Sequence, residues 1–114
     1  MGVESAEYTV TPMLSPSDMA DFDRDYFIYR LRKSVPDAKH YLDEDGQPIE
    51  AGAEWEFEED MKAFSLQHPK VLILIEATVE YDMTYESRHY FKNGKSKIIE
   101  PVLTWPSFDE SLLA

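Results

Sequence analysis

The run Val71-Leu72-Ile73-Leu74-Ile75-Glu76-Ala77-Thr78-Val79-Glu80-Tyr81, followed by Thr84-Tyr85-Glu86-Ser87-Arg88-His89-Tyr90-Phe91 and Lys92-Asn93-Gly94-Lys95, decides the fold class. Its first five residues are the most hydrophobic in the chain and include β-branched side chains, so they predict a central strand running on through Thr78 and Tyr81. A second strand is expected over 84–91. Asn93-Gly94 then closes a hairpin, because a type I′ turn needs two residues at positive φ. The third strand is expected over 96–105, and 106–114 reads as a loop that packs Phe108 and Leu112.

Upstream of this meander the pattern changes period. Residues 8–11 (Tyr-Thr-Val-Thr) predict a short strand that Pro12 confines to an edge or an end. Ser15 reads as a helix N-cap, with Pro16 at the first helical position and Asp18 in the capping-box place. Met19, Phe22, Tyr26 and Tyr29, widened by Phe27 and Leu31, recur at helical spacing and predict one helix from 16 to 34. Arg30, Arg32 and Lys33 suit its C-terminal dipole, and Pro36 ends it. Asp45-Gly46 is a turn signal for a small hairpin between 39–43 and 48–57. In Ala53-Glu54-Trp55-Glu56-Phe57 acids alternate with aromatics, which puts Trp55 and Phe57 on one face of a strand. Glu58-Glu59-Asp60 opens a second helix, ending near Gln67 before Pro69, with Met61 and Phe64 facing the core.

The expected architecture is therefore one α+β domain over 1–114. An antiparallel sheet of about four strands carries two helices on one face and ends in a C-terminal β-meander.

Composition narrows the function classes. The chain has 114 residues, 43% of them hydrophobic, which suffices for one core and argues against global disorder. No apolar run approaches the roughly 20 residues of a bilayer span. The N-terminus lacks the basic and apolar segments of a secretion signal. With no cysteine there is no disulfide framework or thiolate metal site, and the chain fits a cytoplasmic setting. Eleven basic and 23 acidic residues give a net charge of −12, so direct binding to nucleic acid is disfavoured.

The charge is concentrated. Residues 39–60 hold nine acids against the single base Lys39, and contribute −8 of the −12. These acids are Asp43, Glu44, Asp45, Glu50, Glu54, Glu56, Glu58, Glu59 and Asp60. On a strand, Glu54, Glu56 and Glu58 would lie about 6.6–6.8 Å apart. That is near the phosphate spacing of nucleic acid, although any solvated acidic strand gives it. The nine acids are candidate partner-binding residues, joined by Tyr85 and Tyr90, and by Trp105, if these aromatics lie on an open sheet face.

Other site classes find less support. Asp43-Glu44-Asp45-Gly46 fails as a calcium loop, since its first and twelfth positions would be Tyr41 and Gly52. His40, His68 and His89 have no zinc-like spacing. His68 reads as a cation at a helix C-terminus, and His89 as a strand residue. Ser65 and Ser87 lie in no nucleophile elbow. Glu76 and Glu80 share one side of a strand, an ordinary arrangement. The expectation is no catalytic residue, no metal and no cofactor.

Residues 55–112 resemble a small domain of bacteriophages, prophages and other mobile elements. The shared features are Trp55, Glu58-Glu59-Asp60-Met61, Phe64-Ser65, Pro69, Val71-Leu72, Asp82, Arg88, the Tyr90–Lys95 hairpin, Pro106 and Phe108-Asp109. The chain departs from that pattern in lacking glycine between Glu76 and Glu80 and in having Met83 after Asp82. The resemblance implies a ferredoxin-like sandwich and a phage origin, and no catalytic residues. Together with the charge, it suggests an acidic, non-enzymatic inhibitor of a host nucleic-acid-binding defence protein, anti-CRISPR or anti-restriction, acting as a DNA mimic in the host cytoplasm. An immunity protein against a basic toxin and a structural subunit of a phage or bacterial assembly are the alternatives. In the first two readings the partner is a basic protein surface, and the oligomeric state is open.

Overall fold

The computed structural model describes residues 2–101, so the expected strand over 102–105, Trp105 and the packing of Phe108 and Leu112 lie outside the described residues. The order is β1 (Ser5–Met13), α1 (Pro16–Met19), α2 (Arg24–Ser34), α3 (Ala38–Tyr41), α4 (Glu58–Leu66), β2 (Leu72–Glu80), β3 (Thr84–Lys92) and β4 (Lys95–Ile99). The four strands form one antiparallel sheet in the order β1-β2-β3-β4. The chain is thus an α+β fold with its meander at the C-terminal end. Among the described residues, one strand precedes four helices and three strands follow them. This differs from the β-α-β-β-α-β order that the ferredoxin-like expectation carries.

Register sorts the sheet into two faces. Tyr8 pairs with Ala77, Val10 with Ile75, and Ile73 with Phe91. Directly opposed residues share a face, and these six are buried. This inner face packs under the helices through Phe27, Ile28 and Leu31 of α2 and Met61 and Phe64 of α4, all in one core cluster. Phe27 meets Phe64 edge-on at 5.5 Å between ring centroids. Alternation sends Leu74, Glu76, Arg88 and Tyr90 to the outer face.

The single helix expected over 16–34 is two helices. Ser15 and Pro16 start the first as expected, with the Asp18 backbone N–H donating to Ser15 Oγ. A second cap then intervenes: Asp23 accepts from the Tyr26 N–H at 3.0 Å and starts α2 afresh. The restart rotates the buried stripe. Phe27, Ile28 and Leu31 face the core, while Met19, Tyr26 and Tyr29 are about half exposed. In β1 the strand extends through Pro12, which an edge strand accommodates.

The small hairpin over 39–57 does not form as a ladder. Residues 38–41 turn helically, and only isolated bridges join Leu42 to Pro48 and Ala6 to Ala51. The Asp45-Gly46 turn is present. Asp43 Oδ1 accepts the N–H groups of Asp45 and Gln47, and Gly46 takes φ +77°. Asn93 and Gly94 adopt φ +48° and +80°, the two positive values that the β3–β4 turn requires.

Candidate functional site

Residues 54–57 lie between the Ala51 bridge and α4 without strand pairing, and Phe57 already has helical backbone angles, yet the alternation holds. Trp55 and Phe57 are buried, and Glu54 and Glu56 are exposed. Aromatic packing replaces ladder hydrogen bonds as the constraint. Trp55 stacks on Tyr41 at 5.4 Å, and Tyr8 meets both rings edge-on. Phe57 packs edge-on against Tyr8, His89 and Phe91. Polar groups in this cluster are paired as well. Tyr8 Oη accepts the Trp55 backbone N–H, Trp55 Nε1–H donates to the Pro36 carbonyl, and the Tyr41 hydroxyl donates to the Glu54 carbonyl.

This clamp holds the acidic segment over the part of the inner sheet face that the helices leave uncovered. The result is a cleft of about 470 Å³. Ala77, Val79, Ser87 and His89 from β2 and β3 line it together with Tyr8, Trp55 and Phe57. Glu54, Glu56, Glu58, Glu59 and Asp60 supply its carboxylates. Three side-chain contacts orient them. The Tyr81 hydroxyl donates to Glu54 Oε2 at 2.8 Å, Ser96 Oγ donates to Glu58 Oε1 at 3.2 Å, and Lys62 lies 3.6 Å from Glu59.

The structure therefore brings together five of the nine candidate acids. Asp43, Glu44 and Asp45 sit in the turn against β1 and α2, where the Asp45 carbonyl accepts from Arg24 and the Gly46 carbonyl from the Val10 N–H. Glu50 is exposed beside the Ala6–Ala51 bridge. None of these four lines the cleft. The strand comb expected for Glu54, Glu56 and Glu58 is also interrupted, because Glu58 already belongs to α4. Tyr85 and Tyr90 part company. Tyr85 pairs with Val79 on the inner face and packs edge-on against Tyr81 at 5.8 Å, extending the wall beside Glu54. Tyr90 pairs with Lys97 and Leu74 on the outer face.

His89 lies on β3 as its sequence reading expects, whereas His68 differs from its own. His68 is wedged against Phe27 and Phe64, and its Nε2 is buried with no partner among the described residues. Burial, and then Arg30, holds its pKa below the ordinary value, so it is not a welcome cation. His89 Nε2 lies 2.8 Å from Ser87 Oγ on the cleft floor, while Nδ1 is buried without a partner among the described residues. Burial lowers its pKa, against smaller upward effects of Glu58 and Glu100. Sequence reasoning missed this pair, although i,i+2 spacing on a strand face signals it.

A serine beside an imidazole is the first part of a nucleophilic arrangement. The third group that would orient Nδ1 is missing among the described residues. Among the described residues, three or more acids or imidazoles do not converge there as a metal site would need. Burial also keeps the Tyr8 phenol above its usual pKa, so it stays protonated and uncharged beneath the anionic rim. No described helix is long and apolar enough to cross a membrane. No protein-family model matches the chain, and neither a curated protein nor a solved structure matches it significantly.

Proposed function

We propose that the protein is a non-enzymatic acidic binding protein whose cleft receives a basic surface of a partner protein. The observation that carries this reading is the gathering of Glu54, Glu56, Glu58, Glu59 and Asp60 on one concavity over a neutral floor. The rim carboxylates would steer a cationic partner and set its orientation, while Tyr81 and Tyr85 offer aromatic contact beside them. In its fullest form, supported by the charge and by the resemblance to phage-borne domains, the partner is a host defence protein that binds DNA or RNA. The acids then compete with nucleic acid for its basic groove. An immunity protein against a basic toxin would use the same chemistry, and the neighbouring genes distinguish the two.

The test is retention of a single basic host protein from lysate at low salt and its release at high salt. It is repeated with Glu54, Glu56, Glu58 and Glu59 changed to Gln. Gln suits Glu58 and Glu59 better than Lys, because a cation in the first turn of α4 opposes the helix dipole. Retention that ignores both salt and the four substitutions refutes the reading.

A further inference from the structure

The outer sheet face carries a site of opposite sign. Three of the seven lysines, Lys92, Lys95 and Lys97, fall within six residues of the β3–β4 hairpin. Register places all three on one face, since Lys92 pairs with Lys95 and Tyr90 with Lys97. They are exposed, whereas Tyr90 and Leu72 are half-buried. Together with Pro69 these side chains line a cavity of about 430 Å³ with an apolar floor and a cationic margin. In a chain of net charge −12 this sign inversion is local.

We propose that this pocket binds a short acidic peptide segment of a partner, seating an aromatic or aliphatic side chain on Tyr90, Leu72 and Pro69 and its flanking carboxylates on the three lysines. The floor selects for an apolar group, which inorganic phosphate lacks. The same face also limits the length of the anion. Two residues along β3 from Tyr90, Arg88 is engaged with Glu76 at 3.7 Å, and the next outward row holds Glu86 opposite Thr78, which pairs in turn with Glu7. A nucleic-acid strand laid along the sheet would run from the lysines onto these carboxylates, so a polyanion is disfavoured where a short acidic segment is not. The site lies on the opposite sheet face from the acidic cleft and stands independently of the function proposed for it.

Fluorescence polarisation tests this with a labelled pentapeptide carrying one phenylalanine between two pairs of aspartates. The expected result is saturable binding that weakens about tenfold or more in K92E/K95E/K97E, and weakens also with added salt. The milder K92Q/K95Q/K97Q should fall between, and circular dichroism confirms that both variants are folded. Absence of binding at low salt, or equal binding by the variants, overturns the proposal. So does tighter binding of a short oligothymidylate, which would assign the site to nucleic acid. Sedimentation of the protein alone as an oligomer that the lysine substitutions dissociate would assign it to a second copy, and overturns the proposal as well.

Discussion

The Trp55 backbone N–H donates to the Tyr8 hydroxyl at 2.9 Å, joining residues 47 apart in the chain. Through this bond an edge strand holds the acidic segment that rims the cleft. Tyr8→Phe keeps the ring and removes the acceptor, leaving a buried N–H unpaired at a cost of about 1–3 kcal/mol. Urea denaturation should show a lower midpoint at unchanged slope. An unaltered midpoint would mean that aromatic packing alone positions the segment.

The ring beneath that bond matters more. Phe57 is 4% exposed and touches Tyr8, Trp55, His89 and Phe91. Truncating Phe57 to Ala should cost about 3–5 kcal/mol through the cavity it leaves. Equilibrium unfolding monitored by Trp fluorescence measures it, and a loss below about 1 kcal/mol would place Phe57 outside the cooperative core.

At the opposite end of α4, Ser65 is fully buried, donates to the Lys62 carbonyl at 2.7 Å and accepts the Gly94 N–H at 2.8 Å. Ser65→Ala should cost about 1–3 kcal/mol and speed hydrogen exchange at the Gly94 amide first. Gly94→Ala is a harsher change. Its Cβ would stand 2.8 Å from Leu66 Cδ2, an exposed tip that can move aside, so the cost lies mainly in the backbone at φ +80°. A Gly94→Ala protein as stable as the wild type would disprove the positive-φ turn at this position.

His68 and His89 both have lowered pKa values in the fold, chiefly because burial penalises the cation. Between those lowered values and the unfolded value of about 6.5, the unfolded chain binds more protons. Stability from these groups is therefore complete above about pH 6.5 and is lost as pH falls below it. Relief of repulsion among the carboxylates acts in the opposite direction, so the comparison must be with H68Q/H89Q. Thermal melts from pH 7.5 to 5 should show a smaller acid loss in that variant; identical pH profiles would contradict the assignment.

If the cleft is the docking site, the Gln substitutions at Glu54, Glu56, Glu58 and Glu59 should act mainly on association rate. Exposed carboxylates steer encounter over about a Debye length, roughly 8–10 Å at ordinary salt. Surface plasmon resonance against the captured partner should show a reduced on-rate and a flatter salt dependence. A change confined to the off-rate would shift the weight to the aromatic wall of Tyr81 and Tyr85.

Features that rest on short-range chemistry could be read from the residues alone. The two positive φ values at Asn93 and Gly94, the apolar run of β2, the Ser15 cap and the burial of Trp55 and Phe57 between exposed acids were all legible, because each depends on a residue and its near neighbours. The place of Asp23 as a second cap was missed, since the capping signal at Ser15 and an unbroken aromatic spacing masked the restart of α2. Which of the nine acids share a surface was legible only for Glu54, Glu56 and Glu58, whose spacing suggested one face. Asp43 and Glu54 belong to one charge run, yet the first is bound into its own turn, while the second is held at the cleft by Tyr81 from the end of β2. The Ser87–His89 pair sits beneath the rim for the same reason, because β3 reaches the acidic segment only through the sheet. Charge and periodicity are properties of neighbours along the chain. Convergence on a cleft is a property of long-range packing, and here Tyr8, Trp55 and Phe57 decided it.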